Sequence, residues 1–230
     1  PYLSRGLGDV YKRQVMNGFR TELVNKIVGF NAHITIKPYS EKIEINDNKK
    51  QVLEKFSSEF ILSNSGEAII IKNDISKGIL LRGYNNKDFS KLKIVKDEKF
   101  IGDKDNLEKN NISIGKELSF ILDLKIGDNI TLLSSSGVET IIGNLPKQKT
   151  FKVTSLYESG LIDFDSNIAF INLNTLEEFF NLNSNERNLE IYFKNPQNIE
   201  KQKNSVQKIF PTEFVYSWSD MNKSLFSALK

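Results

Sequence analysis

Two strand–helix–strand patterns, one near each end of the chain, limit the folds open to it. Near the N-terminus, Ala32–Lys37 alternates Ile34 and Ile36 against His33 and Thr35, and Pro38 ends the run. Val52, Leu53, Phe56 and Phe60 predict a helix over Gln51–Phe60. Extended runs at Glu67–Lys72 and Ile79–Tyr84 follow, separated by the turn-like stretch Asn73–Gly78. The pattern returns late, as a strand at Asn188–Phe193, a helix at Asn198–Phe210 (Ile199, Val206, Ile209, Phe210) and a strand at Glu213–Tyr216. Two such units pairing across a long gap make one mixed sheet with helices on a face, and turn the segment between them into an insertion. The expected class is α+β.

The insertion reads as β-rich. Asn85–Asn111 is polar and Lys-rich, a connecting segment by pattern. A short helix opens at Ile114–Leu118, a turn at Lys125–Asp128 and a strand at Asn129–Ser134. Strands at Thr150–Tyr157 and Asn167–Ile171 and a helix at Leu173–Asn181 complete it. Amphipathic helices flank the whole: Val15, Phe19, Leu23 and Ile27 fall on one face up to Gly29, and Trp218, Met221, Leu225 and Leu229 on another. A domain inserted between two membrane spans enters and leaves through one bilayer surface, so extensions of the spans would look like this. Pattern alone favours two ordinary core-facing helices. Residues Pro1–Gln14 share neither composition nor periodicity with the rest and are set apart as a foreign leader.

Composition removes several classes of function. With 230 residues and 39% hydrophobic content, the chain can bury one large or two modest cores. Charged residues are 27% of it but mixed in sign, as in Lys96-Asp97-Glu98-Lys99, which leaves no basic stripe for nucleic acid. The absence of cysteine excludes disulfides, cysteine nucleophiles and cysteine-ligated metals. No apolar run approaches the roughly 18 residues that cross a bilayer. No nucleophile–base set can be assembled: His33 is a lone strand histidine, and Asp163 and Asp165 flank Phe164 in ordinary turn spacing. Ser134-Ser135-Ser136-Gly137 lacks the lysine and spacing of a phosphate loop.

The run Val15-Met16-Asn17-Gly18-Phe19-Arg20, with Glu22-Leu23 and then Gly29-Phe30-Asn31-Ala32-His33-Ile34, resembles the segment after the first membrane span of LolC/LolE permeases. Ile114-Gly115-Lys116-Glu117-Leu118 with Leu124-x-Ile126-Gly127-Asp128, the stretch Val153–Leu173, and Trp218 with Asn222, Leu225 and Phe226 are similar to three further family segments. The resemblance covers Val15–Lys230. It implies a MacB-like periplasmic domain: a split βαβ porter subdomain (32–111 and 186–217) with an inserted β-rich sabre subdomain (112–185). Helices over 15–31 and 218–230 would lead to the membrane spans. The implied function is non-enzymatic, the release of lipoproteins from the inner membrane to a LolA-like periplasmic chaperone. The domain would hold no cofactor, since ATP binds a LolD-like ATPase subunit. A second permease copy or paralogue completes the set of partners, and no nucleic acid is expected.

In LolC-type members a protruding Hook resembles TPMG-R-[IL]-P-x-Q-R. Thr140–Lys149 stands in that place, with Gly143 and Pro146 kept, Ile142 for the tip Met, Asn144 for the basic residue and Lys149 for the final Arg. Ile141, Ile142 and Leu145 would enter the chaperone cavity, with Gly143 and Pro146 shaping the loop and Lys147, Gln148 and Lys149 at its rim. Read without the resemblance, the same residues form a plain hairpin folded on its own sheet. A LolC-type subunit and a LolC/E hybrid both remain open. So do a MacB- or FtsX-like coupling domain and a stand-alone soluble binding domain.

Overall fold

A computed structural model describes residues 3–72, 75–140 and 143–223. Helix α1 (Leu3–Phe30) runs without a break through 3–14, the stretch set apart above. Strand β1 (Ile34–Lys37) leads to α2 (Asp47–Phe56), which starts where Asn46 accepts the Lys49 N–H on its side chain. The helix ends earlier than its apolar spacing suggests. The Ser57 hydroxyl donates to the Leu53 carbonyl at 2.6 Å, and the chain continues as β2 (Ser57–Lys72), 16 residues long. β3 (Ile75–Tyr84) pairs back along it.

The polar segment that follows is more than a connection. It forms α3 (Asn86–Phe89), α4 (Lys93–Lys96) and β4 (Ile101–Gly102). Its apolar residues Phe89, Leu92, Ile94, Val95, Phe100 and Leu107 are buried, while Ile101 stays exposed. After it come β5 (Asn111–Gly115), α5 (Lys116–Ile121), β6 (Asn129–Thr140) and β7 (Gly143–Tyr157). Then follow α6 (Ile162–Asn167), β8 (Ile168–Asn172) and α7 (Leu173–Phe180). The chain closes with β9 (Asn188–Phe193), α8 (Ile199–Ile209), β10 (Phe214–Ser217) and α9 (Trp218–Met221).

All the strands join one sheet in the order β10-β1-β9-β2-β3-β8-β5-β7-β4, with β6 pairing both β2 and β7. The long β2 does two jobs along one edge. Its first half pairs with β9 through Ser63, and its second half pairs with β6 from Ala68 to Ile71. That second contact closes a circuit β2-β3-β8-β5-β7-β6 and back to β2, a six-stranded barrel. Alternate residues fill it: Ala68, Ile70, Ile79, Leu81, Ile112, Ile114, Ile130, Leu132, Phe151, Val153, Ala169 and Ile171 are all buried. Leu118 and Leu122 from the α5 turn, and Leu176, Phe179 and Phe180 from α7, pack onto this core. A second core lies between β1, β9, β10, α2 and α8, around Ile34, Ile36, Leu53, Ile191, Val206 and Phe210. Strand β2 therefore belongs to both the open sheet and the barrel.

Two glycines mark where backbone and side chain must touch. A Cβ on Gly83 would lie 3.1 Å from Leu176, and one on Gly66 would lie 2.6 Å from the Phe180 ring. Because Phe180 is buried and packed, it has little room to yield. Gly66→Ala should lower stability by about 1–3 kcal/mol in urea unfolding. Gly78→Ala, where a Cβ would meet nothing within 4 Å, should leave the midpoint unchanged or raise it.

Candidate functional site

The candidate site is the β6–β7 hairpin. Its lower rungs, Asn129↔Lys152 to Leu133↔Gln148, are barrel wall. The register then shifts between Leu133 and Gly137, so that β6 carries extra residues against β7 at that point. A bulge of this kind bends the strand that holds it. Ser134 makes the last rung with β2, opposite Ala68. From Gly137↔Pro146 to Thr140↔Gly143 the two strands pair with each other and, among the described residues, with no third strand. Pro146 has no N–H to offer a ladder, which suits this free ribbon. Gly143 has φ +118°, a left-handed conformation that a side chain would strain.

The residues expected at this site divide into two groups. Leu145 is 50% exposed although apolar, and Pro146 and Gln148 are exposed beside it. Lys147 and Lys149 point back at the barrel instead of standing free at a rim. Lys147 Nζ donates to the Glu178 carbonyl at 2.8 Å and also meets Asn181 Oδ1. It thereby sits on the C-terminal carbonyls of α7, where the helix dipole favours a cation. Lys149 Nζ lies 5.8 Å from the centre of the Phe151 ring, and partial burial lowers its pKa. Within the domain, Lys147 thus fixes the hairpin root. Ile141 and Ile142 lie outside the described residues.

On the far side of the barrel, α1 is tied to the sheet. The Glu190 carboxylate on β9 is buried and accepts from Ser63 Oγ at 2.7 Å, Arg82 Nη2 at 3.1 Å and Tyr192 OH at 2.7 Å. Tyr84 OH reaches both of its oxygens, at 3.0 and 3.1 Å. The Arg82 guanidinium lies 5.7 Å from the Phe30 ring of α1 and within hydrogen-bond reach of Asn31 Oδ1 at 3.5 Å. Burial acts to lower the Arg82 pKa, but Tyr84 and Glu190 more than offset it and hold the group charged. Burial pushes the Tyr84 and Tyr192 phenols well above their usual range.

No family model matches the sequence. Among curated proteins, the chain is 24% identical over 174 residues to the lipoprotein-releasing system transmembrane protein LolC of Xylella fastidiosa, covering 73% of this chain and 41% of that protein. It is 23% identical over 237 residues to LolC of Neisseria meningitidis serogroup B and 27% over 220 residues to LolC of Buchnera aphidicola subsp. Schizaphis graminum. Each of these alignments covers 94% of this chain and 54% of the relative. The chain thus spans about half the length of the curated relatives it matches. The periplasmic region of MacB from Actinobacillus actinomycetemcomitans superposes over 87% of this chain and 95% of its own, with TM-score 0.50 and 9% identity.

At 23–27% identity to curated LolC proteins, the chain is similar to LolC/LolE-family permeases. Its fold is the α+β MacB-like domain expected from the sequence. Among the described residues, no helix is long and apolar enough to cross a membrane.

Within this domain His33 is structural, as its lone position suggested. Its Nδ1 accepts the Phe193 N–H at 2.7 Å and its other nitrogen faces the Val28 backbone of α1. Its main-chain oxygen accepts the Trp218 N–H at 3.0 Å. Both flanking helices therefore meet at this one residue. Asp165 is buried and accepts the Ser159 N–H at 2.8 Å, closing the loop before α6, and burial raises its pKa. Among the described residues, no three His, Cys, Asp or Glu side chains gather as a metal site.

Burial pushes the His33 pKa down to about 4, from an unfolded value near 6.5. Between those values the unfolded chain binds the proton and the native chain does not, so stability is lost as pH falls. Moving from pH 7 to about pH 4.5 should remove about 2–3 kcal/mol through this group. Urea midpoints at the two pH values should draw closer together in His33→Gln than in the wild type.

Proposed function

We propose that this domain is the extracytoplasmic part of an inner-membrane ABC permease that releases lipoproteins and hands them to a LolA-like chaperone in the periplasm. The reading is carried by the hairpin that leaves the barrel at Ser134 and presents exposed Leu145 and Pro146 on a self-paired ribbon. An isolated domain gains nothing from an apolar side chain held in water at the end of a ribbon. Inserted into an acyl-chain cavity, each such side chain contributes roughly 1.5–3 kcal/mol. The relatives named as lipoprotein-releasing proteins supply the substrate class.

The domain itself does no chemistry in this reading. A LolD-like subunit binds and hydrolyses ATP, and a second permease copy or paralogue completes the transporter. What the domain supplies is a mechanical link. Helix α1 would bring motion from the membrane, the junction at Glu190 and His33 would pass it to the sheet, and the hairpin would deliver it to the chaperone. The two transporter states must then differ in affinity for chaperone or lipoprotein, since a ligand held equally by both shifts neither.

A pull-down with LolA from the same organism tests this. The wild-type chain should capture it, and Leu145→Asp and Ile142→Asp should each weaken capture by about tenfold or more, as losing one buried apolar anchor requires. A folded wild type that captures nothing would remove the chaperone hand-off. The MacB-like fold would then favour a MacB- or FtsX-like domain that transmits ATPase motion to another partner.

A further inference from the structure

A cavity of about 640 Å³ lies away from the hairpin, walled by the last turns of α1. Four lysines line it, Lys91, Lys93, Lys96 and Lys194, against one carboxylate, Glu59. Four positive charges less one negative leave +3 around this cavity, equal to the formal net charge of the whole chain. Lys91 is the compensated one: its Nζ lies 2.8 Å from Asp88 and 3.9 Å from Glu59. Lys93, Lys96 and Lys194 are exposed and have no carboxylate within ion-pair distance among the described residues. Two titratable rings stand in the wall, and neither adds charge: burial lowers the His33 pKa to about 4 and raises the Tyr192 phenol well above its usual range.

Like charges around one cavity repel, and a surface that keeps three of them together without partners is set up for an anion. The geometry gives that anion a definite shape. Lys93 and Lys96 belong to α4, which packs against α1, and Lys194 follows β9, and all three line the same cavity. Each is a compact charge with three N–H donors, suited to a group that offers several acceptor oxygens. The floor between them is apolar, with Val28, Ile61, Leu92 and Phe193. A small hydrated ion leaves that floor unused, whereas a headgroup carrying the first carbons of an amphiphile covers it. On α1 itself, Val15, Met16 and Phe19 are each more than half exposed. Phe19 precedes Gly29 by ten residues, about 15 Å along the helix axis. An apolar stretch and a cationic cavity on one helix, in that order, match the layering of an anionic membrane surface.

We propose that this cavity binds the phosphate of an anionic phospholipid headgroup and clamps α1 against α4 and β9 when occupied. The site is separate from the hairpin, and its occupancy would set how firmly α1 is held to the sheet.

The test uses the whole chain and three probes: phosphatidylglycerol-containing vesicles, phosphatidylcholine vesicles and inorganic phosphate. A charge-removed variant, Lys93→Gln with Lys96→Gln and Lys194→Gln, is compared with a control of equal net charge, Lys55→Gln with Lys201→Gln and Lys208→Gln. The wild type should sediment with phosphatidylglycerol vesicles and not with phosphatidylcholine. The cavity variant should bind about a hundredfold more weakly, and the control within about threefold of wild type. Saturable binding of inorganic phosphate that displaces the vesicles, lost in the cavity variant alone, would keep the site and assign it a soluble phosphate. Equal weakening in both variants, or no binding to any probe by the wild type, overturns the proposal. Capture of the chaperone by the hairpin should be unchanged in the cavity variant, so the two readings fail independently.

Discussion

The structure depends on one buried carboxylate. Glu190 receives hydrogen bonds from Ser63, Arg82, Tyr84 and Tyr192, on strands β2, β3 and β9. An unpaired charge in such a place would cost several kcal/mol, and the arrangement holds only because every lone-pair direction is met. It also fixes geometry. β9 belongs to the open sheet, β3 to the barrel wall, and Arg82 stacks near Phe30 at the end of α1. Moving the barrel wall away from β9 would strip Arg82 and Tyr84 from Glu190, and moving α1 would take Phe30 off the Arg82 guanidinium. The cluster therefore ties helix, sheet and barrel into one body.

The rest of the architecture follows outward from that junction. Beyond it, β2 changes partner from β9 to β6, and the barrel closes. The barrel is narrow enough for alternate side chains to fill it, with α5 and α7 residues packed on the same core, so it acts as a stiff pedestal. The hairpin departs from that pedestal at a bulge, with Lys147 holding its root to α7. Exposed apolar surface thus stands at the end of a rigid path that starts at α1. A loop on a loosely attached segment would offer the same side chains but could not carry a displacement from helix to tip.

Much of this was legible in the sequence because periodicity reports burial. Ile34 and Ile36, Leu189 and Ile191, and the helix carrying Val206 and Phe210 stand where alternation and helical spacing put them. The family motifs then gave the fold class. Three features escaped for physical reasons. The first half of β2 reads Ser57-Ser58-Glu59, then Ser63-Asn64-Ser65, and its polar residues face the Glu190 cluster or a sheet edge, so no apolar alternation marks it. The stretch 85–111 is rich in lysine, asparagine and aspartate, yet its sparse Phe89, Val95, Phe100 and Leu107 are buried by tertiary packing that no local period encodes. The closure of the barrel rests on β2 pairing with β6, partners far apart in the chain. The Glu190 cluster did leave a trace: Glu190 and Tyr192 share the face opposite Leu189 and Ile191, and Arg82 interrupts an apolar strand. A charge in a strand covered on both sides is the signal that points to such a cluster.

In the hairpin, pattern and packing gave different parts of the answer. Gly143 and Pro146 were recognisable from sequence as the punctuation of a turn, and Leu145 as its apolar side chain. The anchoring of Lys147 on α7 was not, because it needs the C-terminus of a helix more than thirty residues away.

The measurement that tests the central claim most directly is native-state hydrogen exchange on the whole chain, comparing wild type with Glu190→Ala. If Glu190 joins the parts into one body, the substitution should cost about 3–5 kcal/mol, as for other broken buried pairs. Protection should then fall together in β1, β9, the barrel strands β5 and β7 and the last turns of α1. Loss confined to β1 and β9, with barrel protection intact, would show two independently stable units and contradict the account.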